Sequence, residues 1–122
     1  MAPMIAYDAS GKPVLAIGAA GGATIIAQVA QAMIGVLDWK LSVQDAIALP
    51  QLVATGDLVR VEKGTSLEAL MPALEALGHK VQATGLPLKA NGVEWTTGGW
   101  RGGADPRSEG ESLAFGQAVL TP

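Results

Sequence analysis

Apolar and polar positions change period several times along this chain, and each change marks an element. Met4 to Tyr7 and Val14 to Ile17 are short apolar runs on either side of Asp8-Ala9-Ser10-Gly11-Lys12-Pro13. The intervening cluster consists of turn formers, with an aspartate able to bond its own backbone and a glycine free to take positive φ. The two runs predict a β-hairpin. From Thr24 to Leu37 no proline occurs and the pattern becomes helical. Gln28, Gln31, Gly35 and Asp38 fall on one narrow polar stripe, while Ile25, Ile26, Val29, Ala30, Met33, Ile34, Val36 and Leu37 cover the rest. A helix so broadly apolar is expected to lie against a sheet and also against another helix or subunit.

A second, shorter helix is predicted over Leu41 to Leu49, with Ser42 at its N-cap, Asp45 three residues on, and Pro50 as its stop. Leu58-Val59-Arg60-Val61-Glu62 alternates with period two and predicts a strand after the Thr55-Gly56-Asp57 turn. Thr65 and Glu68 have capping-box spacing ahead of Leu67, Leu70, Met71, Leu74 and Leu77 at helical intervals. Pro72 inside that pattern should kink the helix or split it, and Gly78 should end it. His79 to Thr84 and Val93 to Thr97 read as strands, with another near Trp100, and Asp105 to Gly110 as a turn. Strands and helices therefore alternate irregularly with hairpins at both ends. The predicted class is α+β, a single domain over 1–122 with a largely antiparallel sheet and helices packed on it.

Between the first hairpin and the long helix lies Ile17-Gly18-Ala19-Ala20-Gly21-Gly22-Ala23-Thr24. Glycines at Gly18, Gly21 and Gly22 remove Cβ atoms where the chain must turn sharply and let another group approach the backbone. Adjacent glycine amides at a helix start are free donors for a carboxylate, a phosphate or a developing oxyanion. The alternative is a tight strand-to-helix turn with no ligand.

Composition narrows the classes. Apolar residues make up 49% of the 122 residues and charged ones only 16%, with a mean hydropathy of +0.33. That is more apolar surface than a domain of this size easily hides, which points to a larger assembly, a homo-oligomer or a missing partner segment. Gln28, Gln31 and Asp38 interrupt the longest apolar stretch, so no membrane span is expected. No basic region followed by an apolar block opens the chain, so no export signal is expected, and the compartment stays open. With no cysteine there is no disulfide framework, thiolate metal site or cysteine nucleophile. A net charge of −3, with eight scattered basic residues, argues against a nucleic-acid partner.

The candidate chemistry is sparse. The glycine bend gives G-x-x-G-G where a dinucleotide fingerprint needs G-x-G-x-x-G, and no Gly-Lys-Ser/Thr follows as in a P-loop. No cofactor and no metal are therefore expected. His79 is the sole histidine, which excludes a metal site built on several histidines within one chain, and its place between a helix stop and a strand reads as structural. Glu68 and Glu75 read as solvated surface. Thr96 and Thr97 lack a neighbouring base and read as strand formers. Asp105 and Arg107 flank a proline and are expected to pair with each other or to cap the final turn.

The ordered set of segments resembles a known family. The hairpin, Gly18-Ala19-Ala20-Gly21-Gly22, the apolar helix ending near Asp38, Leu41-Ser42-Val43-Gln44-Asp45-Ala46 and Pro50 are similar to the C-terminal half of the γ-glutamyltransferase (γ-glutamyltranspeptidase) small subunit. Val59-Arg60-Val61-Glu62-Lys63-Gly64, Leu77-Gly78-His79-Lys80-Val81 and Gly103-Ala104-Asp105-Pro106-Arg107-Ser108 continue the match over nearly the whole chain. The resemblance implies an N-terminal-nucleophile hydrolase fold with αββα layers, of which this chain would form part. It also implies a self-cleaving precursor whose freed threonine attacks a γ-glutamyl amide, glutathione for example, and passes the glutamyl group to water or an amine. Gly21 and Gly22 match the two glycines whose backbone N–H groups bind the tetrahedral oxyanion. The family's nucleophile, its neighbouring threonine and a serine pair lie upstream of the matched stretch, and Thr96-Thr97 does not align with them. After Pro50 the family has an arginine and histidines, where this chain has Gln51, Leu52, Val53 and Ala54. The chain is thus expected to be a C-terminal portion, a truncated relative or a separately encoded piece, inactive alone. The competing reading is a non-catalytic interaction or oligomerisation module derived from the family.

Overall fold

Strands β1 (Met4–Tyr7) and β2 (Pro13–Ala20) form the hairpin that the turn residues between them specify. The computed structural model describes residues 2–113. Asp8 Oδ1 accepts from the Ser10 amide at 2.9 Å, the Ser10 hydroxyl at 2.6 Å and the Lys12 amide at 3.0 Å, and Gly11 takes φ +80°. The Ser10 hydroxyl, and after it the Lys12 amide, hold the exposed Asp8 carboxyl below its ordinary pKa.

Strand β2 leads through a 3₁₀ turn (Gly22–Thr24) into α1 (Ile25–Leu37), and α2 (Val43–Ala48) follows. Two later strands, β6 (Lys89–Thr96) and β7 (Gly99–Ala104), complete an antiparallel sheet in the order β1-β2-β6-β7. Leu15, Ile17 and Ala19 alternate toward the helices and are buried with Val29, Ala32, Val43, Ile47 and Ala90. Helices α1 and α2 meet at Gly35, where an added Cβ would stand 2.7 Å from the Ala46 Cβ. That contact accounts for a glycine in mid-helix. Ser42 caps α2 as its spacing predicts, accepting from the Asp45 amide at 3.1 Å and donating to the Asp45 carboxylate at 2.7 Å.

The second sheet has the order β3-β4-β5, built from β3 (Leu52–Thr55), β4 (Leu58–Glu62) and β5 (Lys80–Thr84). Strands β3 and β4 are antiparallel, whereas β4 and β5 are parallel. Parallel pairing requires a crossover, and Ser66–Leu70 plus α3 (Met71–Ala76) supply it. Pro72 splits this segment as predicted: a 3₁₀ turn precedes it, and the α-helix holds the proline in its first turn. The predicted capping box at Thr65 is not formed. Its hydroxyl turns back to the Glu62 carbonyl at 2.7 Å, and the Glu68 carboxylate accepts from the Gly64 amide instead. The fold is mixed α+β with mainly antiparallel sheets.

The polar stripe of α1 has an unexpected orientation. Gln28 and Gly35 are buried, and Gln31 is half-buried with its amide donating to the Pro50 carbonyl at 2.9 Å. Ile26 is 75% exposed instead, with Ala30 and Ile34 beside it on the outer face. The expected sheet and helix contacts are thus made by the side that carries Gln28. Ile5, Val93, Trp95 and Trp100 are exposed on the sheet, adding to the apolar surface that composition foretold. Among the described residues no helix is long and apolar enough to cross a membrane.

Candidate functional site

The bend after β2 is set by two glycines that only glycine can replace without strain. Gly21 has φ +128° and Gly22 φ +64°, both in the region L side chains avoid. Their surroundings differ. A Cβ on Gly21 would stand 1.9 Å from the Pro87 carbonyl oxygen and 2.6 Å from Thr24 Oγ1, whereas one on Gly22 would meet nothing within 4 Å. Gly21 is therefore pressed against the Gly85–Leu88 connection, and Gly22 faces open space.

A buried polar pair holds this arrangement. Thr24 is 3% exposed and Gln28 2%, one helical turn apart. Gln28 Nε2 donates to the Ala20 carbonyl at 2.9 Å and to Thr24 Oγ1 at 2.8 Å, and Gln28 Oε1 accepts from the Lys89 amide at 2.9 Å. The Thr24 hydroxyl points at the carbonyls of Gly21 and Pro87, 3.1 Å from each. The carbonyls of Ala20 and Gly21 are thus both engaged from the protein interior. The amides of Gly21 and Gly22 have no acceptor among the described residues. Adjacent backbone N–H groups at the entry to a helix are, as a class, donors suited to negative charge. A shallow hollow of about 330 Å³, lined by Gly18, Ala20, Lys89 and Asn91 and by neither Gly21 nor Gly22, lies at the end of β2. A longer groove of about 1130 Å³ continues over the sheet between Ile5, Val93, Trp100 and Leu113.

The remaining candidates lie elsewhere. Thr96 is spent on the β6–β7 turn, its hydroxyl donating to the Gly99 carbonyl at 2.8 Å. His79 is exposed immediately before β5. Asp105 and Arg107 do pair, at 3.1 Å from Nε to Oδ1, but they cap a helix distant in sequence as well as their own turn. Arg107 Nη2 donates to the carbonyls of Ile47 and Leu49 at the end of α2, at 2.9 and 3.1 Å, and Nε lies 3.6 Å from Glu62 on β4. One guanidinium therefore ties the two sheets and α2 together. Glu94, which sequence reasoning passed over, is buried on β6 and accepts from the Val43 amide at 3.0 Å at the start of α2. Gln28 was also missed as a site residue. Its signal was present: an amide four residues after Thr24 in an otherwise apolar segment. Among the described residues no cluster of three or more histidine, cysteine or carboxylate groups is placed to hold a metal.

A sequence profile of the gamma-glutamyltranspeptidase family matches residues 1–115. The Acylase ACY 1 proenzyme of Pseudomonas sp. (strain SE83) is 35% identical over 81 residues, which are 66% of this chain and 14% of that protein. The Glutathione hydrolase proenzyme of Bacillus subtilis (strain 168) is 26% identical over 119 residues, covering 94% of this chain and 20% of the hydrolase. The chain thus spans a fifth or less of the length of these curated relatives. Among solved structures, a highly active mutant of gamma-glutamyltranspeptidase from Pseudomonas nitroreducens aligns with a TM-score of 0.81 and 21% identity. That likeness of fold covers 96% of this chain and 62% of that one. A mutant of the Helicobacter pylori gamma-glutamyltranspeptidase aligns with a TM-score of 0.79 and 25% identity, over 88% of this chain and 61% of the other.

Proposed function

The chain belongs to the gamma-glutamyltranspeptidase family, and from that premise we propose that it supplies the oxyanion-binding part of an amide-cleaving acyl-transfer site. In this reading the backbone N–H groups of Gly21 and Gly22 are the donors. Attack on an amide carbonyl converts it into a tetrahedral intermediate with a full negative charge on oxygen. Two amides aimed at that oxygen, in a site that need not reorganise, lower the barrier, and loss of one such donor typically costs about 2.7–4 kcal/mol. The observation that carries the reading is the pair of glycine amides with no acceptor among the described residues, in a bend held from behind by Thr24 and Gln28.

The nucleophile comes from outside the described residues. The family resemblance points to a threonine at a new N-terminus, acting on a γ-glutamyl compound such as glutathione. The names of the acylase and glutathione hydrolase relatives support the reading that this chain serves an amide substrate with a transferable acyl group. This chain alone is therefore expected to release no chromophore from a γ-glutamyl anilide. Mass spectrometry after the incubation checks for a covalent glutamyl adduct, and an adduct on this chain would sink the division of labour. Titration of the ¹⁵N-labelled chain with L-glutamate should shift the Gly21 and Gly22 amide resonances. Unmoved resonances at millimolar glutamate would remove the donors from the proposal.

A second reading, a non-catalytic interaction or oligomerisation module, is favoured by the exposure of Ile26, Ile34, Trp39 and the sheet-face aromatics. Sedimentation over a range of concentrations tests it, with self-association expected. A monomer at every concentration counts against a homo-oligomer.

A further inference from the structure

We infer that Thr24 and Gln28 are positioning residues whose task is to aim the Gly21 and Gly22 amides, an inference that rests on the oxyanion reading. The first argument is one of necessity. Gln28 occupies an interior position of α1 where Val29 and Ala32 pack by apolar contact alone. A buried amide there is costly unless every polar atom is satisfied, and an apolar side chain of similar volume would pack without that demand. All of the hydrogen-bonding atoms of Gln28 are engaged, and each partner belongs to the bend or to the strand that flanks it.

The second argument is geometric. A peptide plane carries its carbonyl and the next residue's amide on opposite sides, so fixing one fixes the direction of the other. Gln28 holds the Ala20 carbonyl, which orients the plane that ends in the Gly21 amide. Thr24 holds the Gly21 carbonyl, which orients the plane that ends in the Gly22 amide. The two side chains thus address the two donors one by one. Glycine at positive φ has a broad range of conformations, so without these ties the bend would sample many orientations of its amides. The Pro87 carbonyl, 3.1 Å from the Thr24 hydroxyl, closes the remaining direction.

The test uses the full chain labelled with ¹⁵N, L-glutamate as the probe, and two pairs of measurements. Thr24→Val removes the hydroxyl at nearly constant shape, Thr24→Ser restores it, and Gln28→Met removes the amide at similar length. Val29→Ala is the control, since it loosens the core without touching the bend. Thr24→Val and Gln28→Met should each weaken glutamate binding at the Gly21 and Gly22 amides by about fivefold, as loss of one orienting hydrogen bond implies. Gln28→Met should also change the φ-dependent coupling constant of Gly21, and Thr24→Val that of Gly22. Thr24→Ser and Val29→Ala should leave affinity and couplings near the wild type. Unchanged couplings and affinity in Thr24→Val and Gln28→Met would overturn the inference, as would a Val29→Ala loss of the same size. Couplings that change in the two variants, with no glutamate response even in the wild type, would keep the positioning pair and refute the oxyanion reading instead.

Discussion

Substituting alanine at Gly21 and at Gly22 should give two very different proteins. At Gly22, φ is +64° and the space beyond is empty, so the cost is the conformational one alone, about 1–2 kcal/mol for an L-residue in the left-handed region. At Gly21, where φ is +128° and lies outside even the left-handed well, at least that penalty is joined by a collision, because the new Cβ would stand 1.9 Å from the Pro87 carbonyl oxygen and 2.6 Å from Thr24 Oγ1. Relief requires both moving the Gly85–Leu88 connection and breaking the buried threonine bond. Overpacking of this kind costs about 1–3 kcal/mol and an orphaned buried hydroxyl a further 1–3 kcal/mol. The central expectation for Gly21→Ala is a loss of about 5 kcal/mol, a large share of the roughly 5–15 kcal/mol that holds a domain of this size. The small gain from a stiffer unfolded chain is common to both variants and cancels in their difference. Urea unfolding followed through Trp39, Trp95 and Trp100 measures that difference as a shift in midpoint at shared slope. Equal losses at the two positions would show that the Pro87 carbonyl does not press on Gly21.

Other outcomes follow from other contacts. Arg107→Met strips the α2 carbonyls of their donor and leaves Asp105, 1% exposed, without its cation, so urea unfolding should register a loss of about 3–5 kcal/mol. Adding Asp105→Asn should restore part of it; a double variant worse than the single one would contradict the pairing. Because the folded Asp8 carboxyl lies below its ordinary pKa, the unfolded chain binds the extra proton as pH falls, and the hairpin's contribution is lost through the folded pKa. Asp8→Ala should therefore lower the thermal midpoint near neutrality and approach the wild type in acid; a gap constant across pH would reject the linkage. Gly35→Ala should cost about 1–3 kcal/mol by forcing α1 from α2, and Ala46→Gly in the same chain should recover some of it. Strict additivity in that cycle would place the two residues out of contact.

Much of the fold was legible because its signals are local. The β1–β2 turn depends on Asp8, Ser10 and Gly11, the α2 cap on Ser42 and Asp45, and the break near Pro72 on proline chemistry, all within a few residues. The orientation of α1 was not legible. A polar stripe ordinarily marks the solvent side, but here Gln28 turns inward because its partner Lys89 arrives 61 residues later. Glu94 meets the start of α2 across 51 residues and Arg107 meets its end across 60. The parallel β4–β5 pair was hidden for the same reason, since no local pattern says which neighbour a strand will choose. Of the candidate site, sequence named the two glycines and left out Thr24 and Gln28, which bond to the carbonyls of the bend. Glycine is conspicuous by type, whereas a threonine and a glutamine acquire meaning only once a distant carbonyl and amide are beside them.

The tie between Pro87 and the bend also sets a schedule. Thr24 and the Pro87 carbonyl are 63 residues apart, so the hairpin and α1 can form while the bend behind them is still unclamped. Closing a loop of that length carries an entropic cost that the local contacts of the hairpin and α1 do not. During synthesis the two glycines emerge before Pro87, and the bend is clamped only once the Gly85–Leu88 connection and β6 have followed. A chain interrupted before Pro87 would carry both glycines in a loose turn. The geometry of Gly21 and Gly22 is therefore completed only when β6 has paired with β2 and the Pro87 carbonyl has met Thr24.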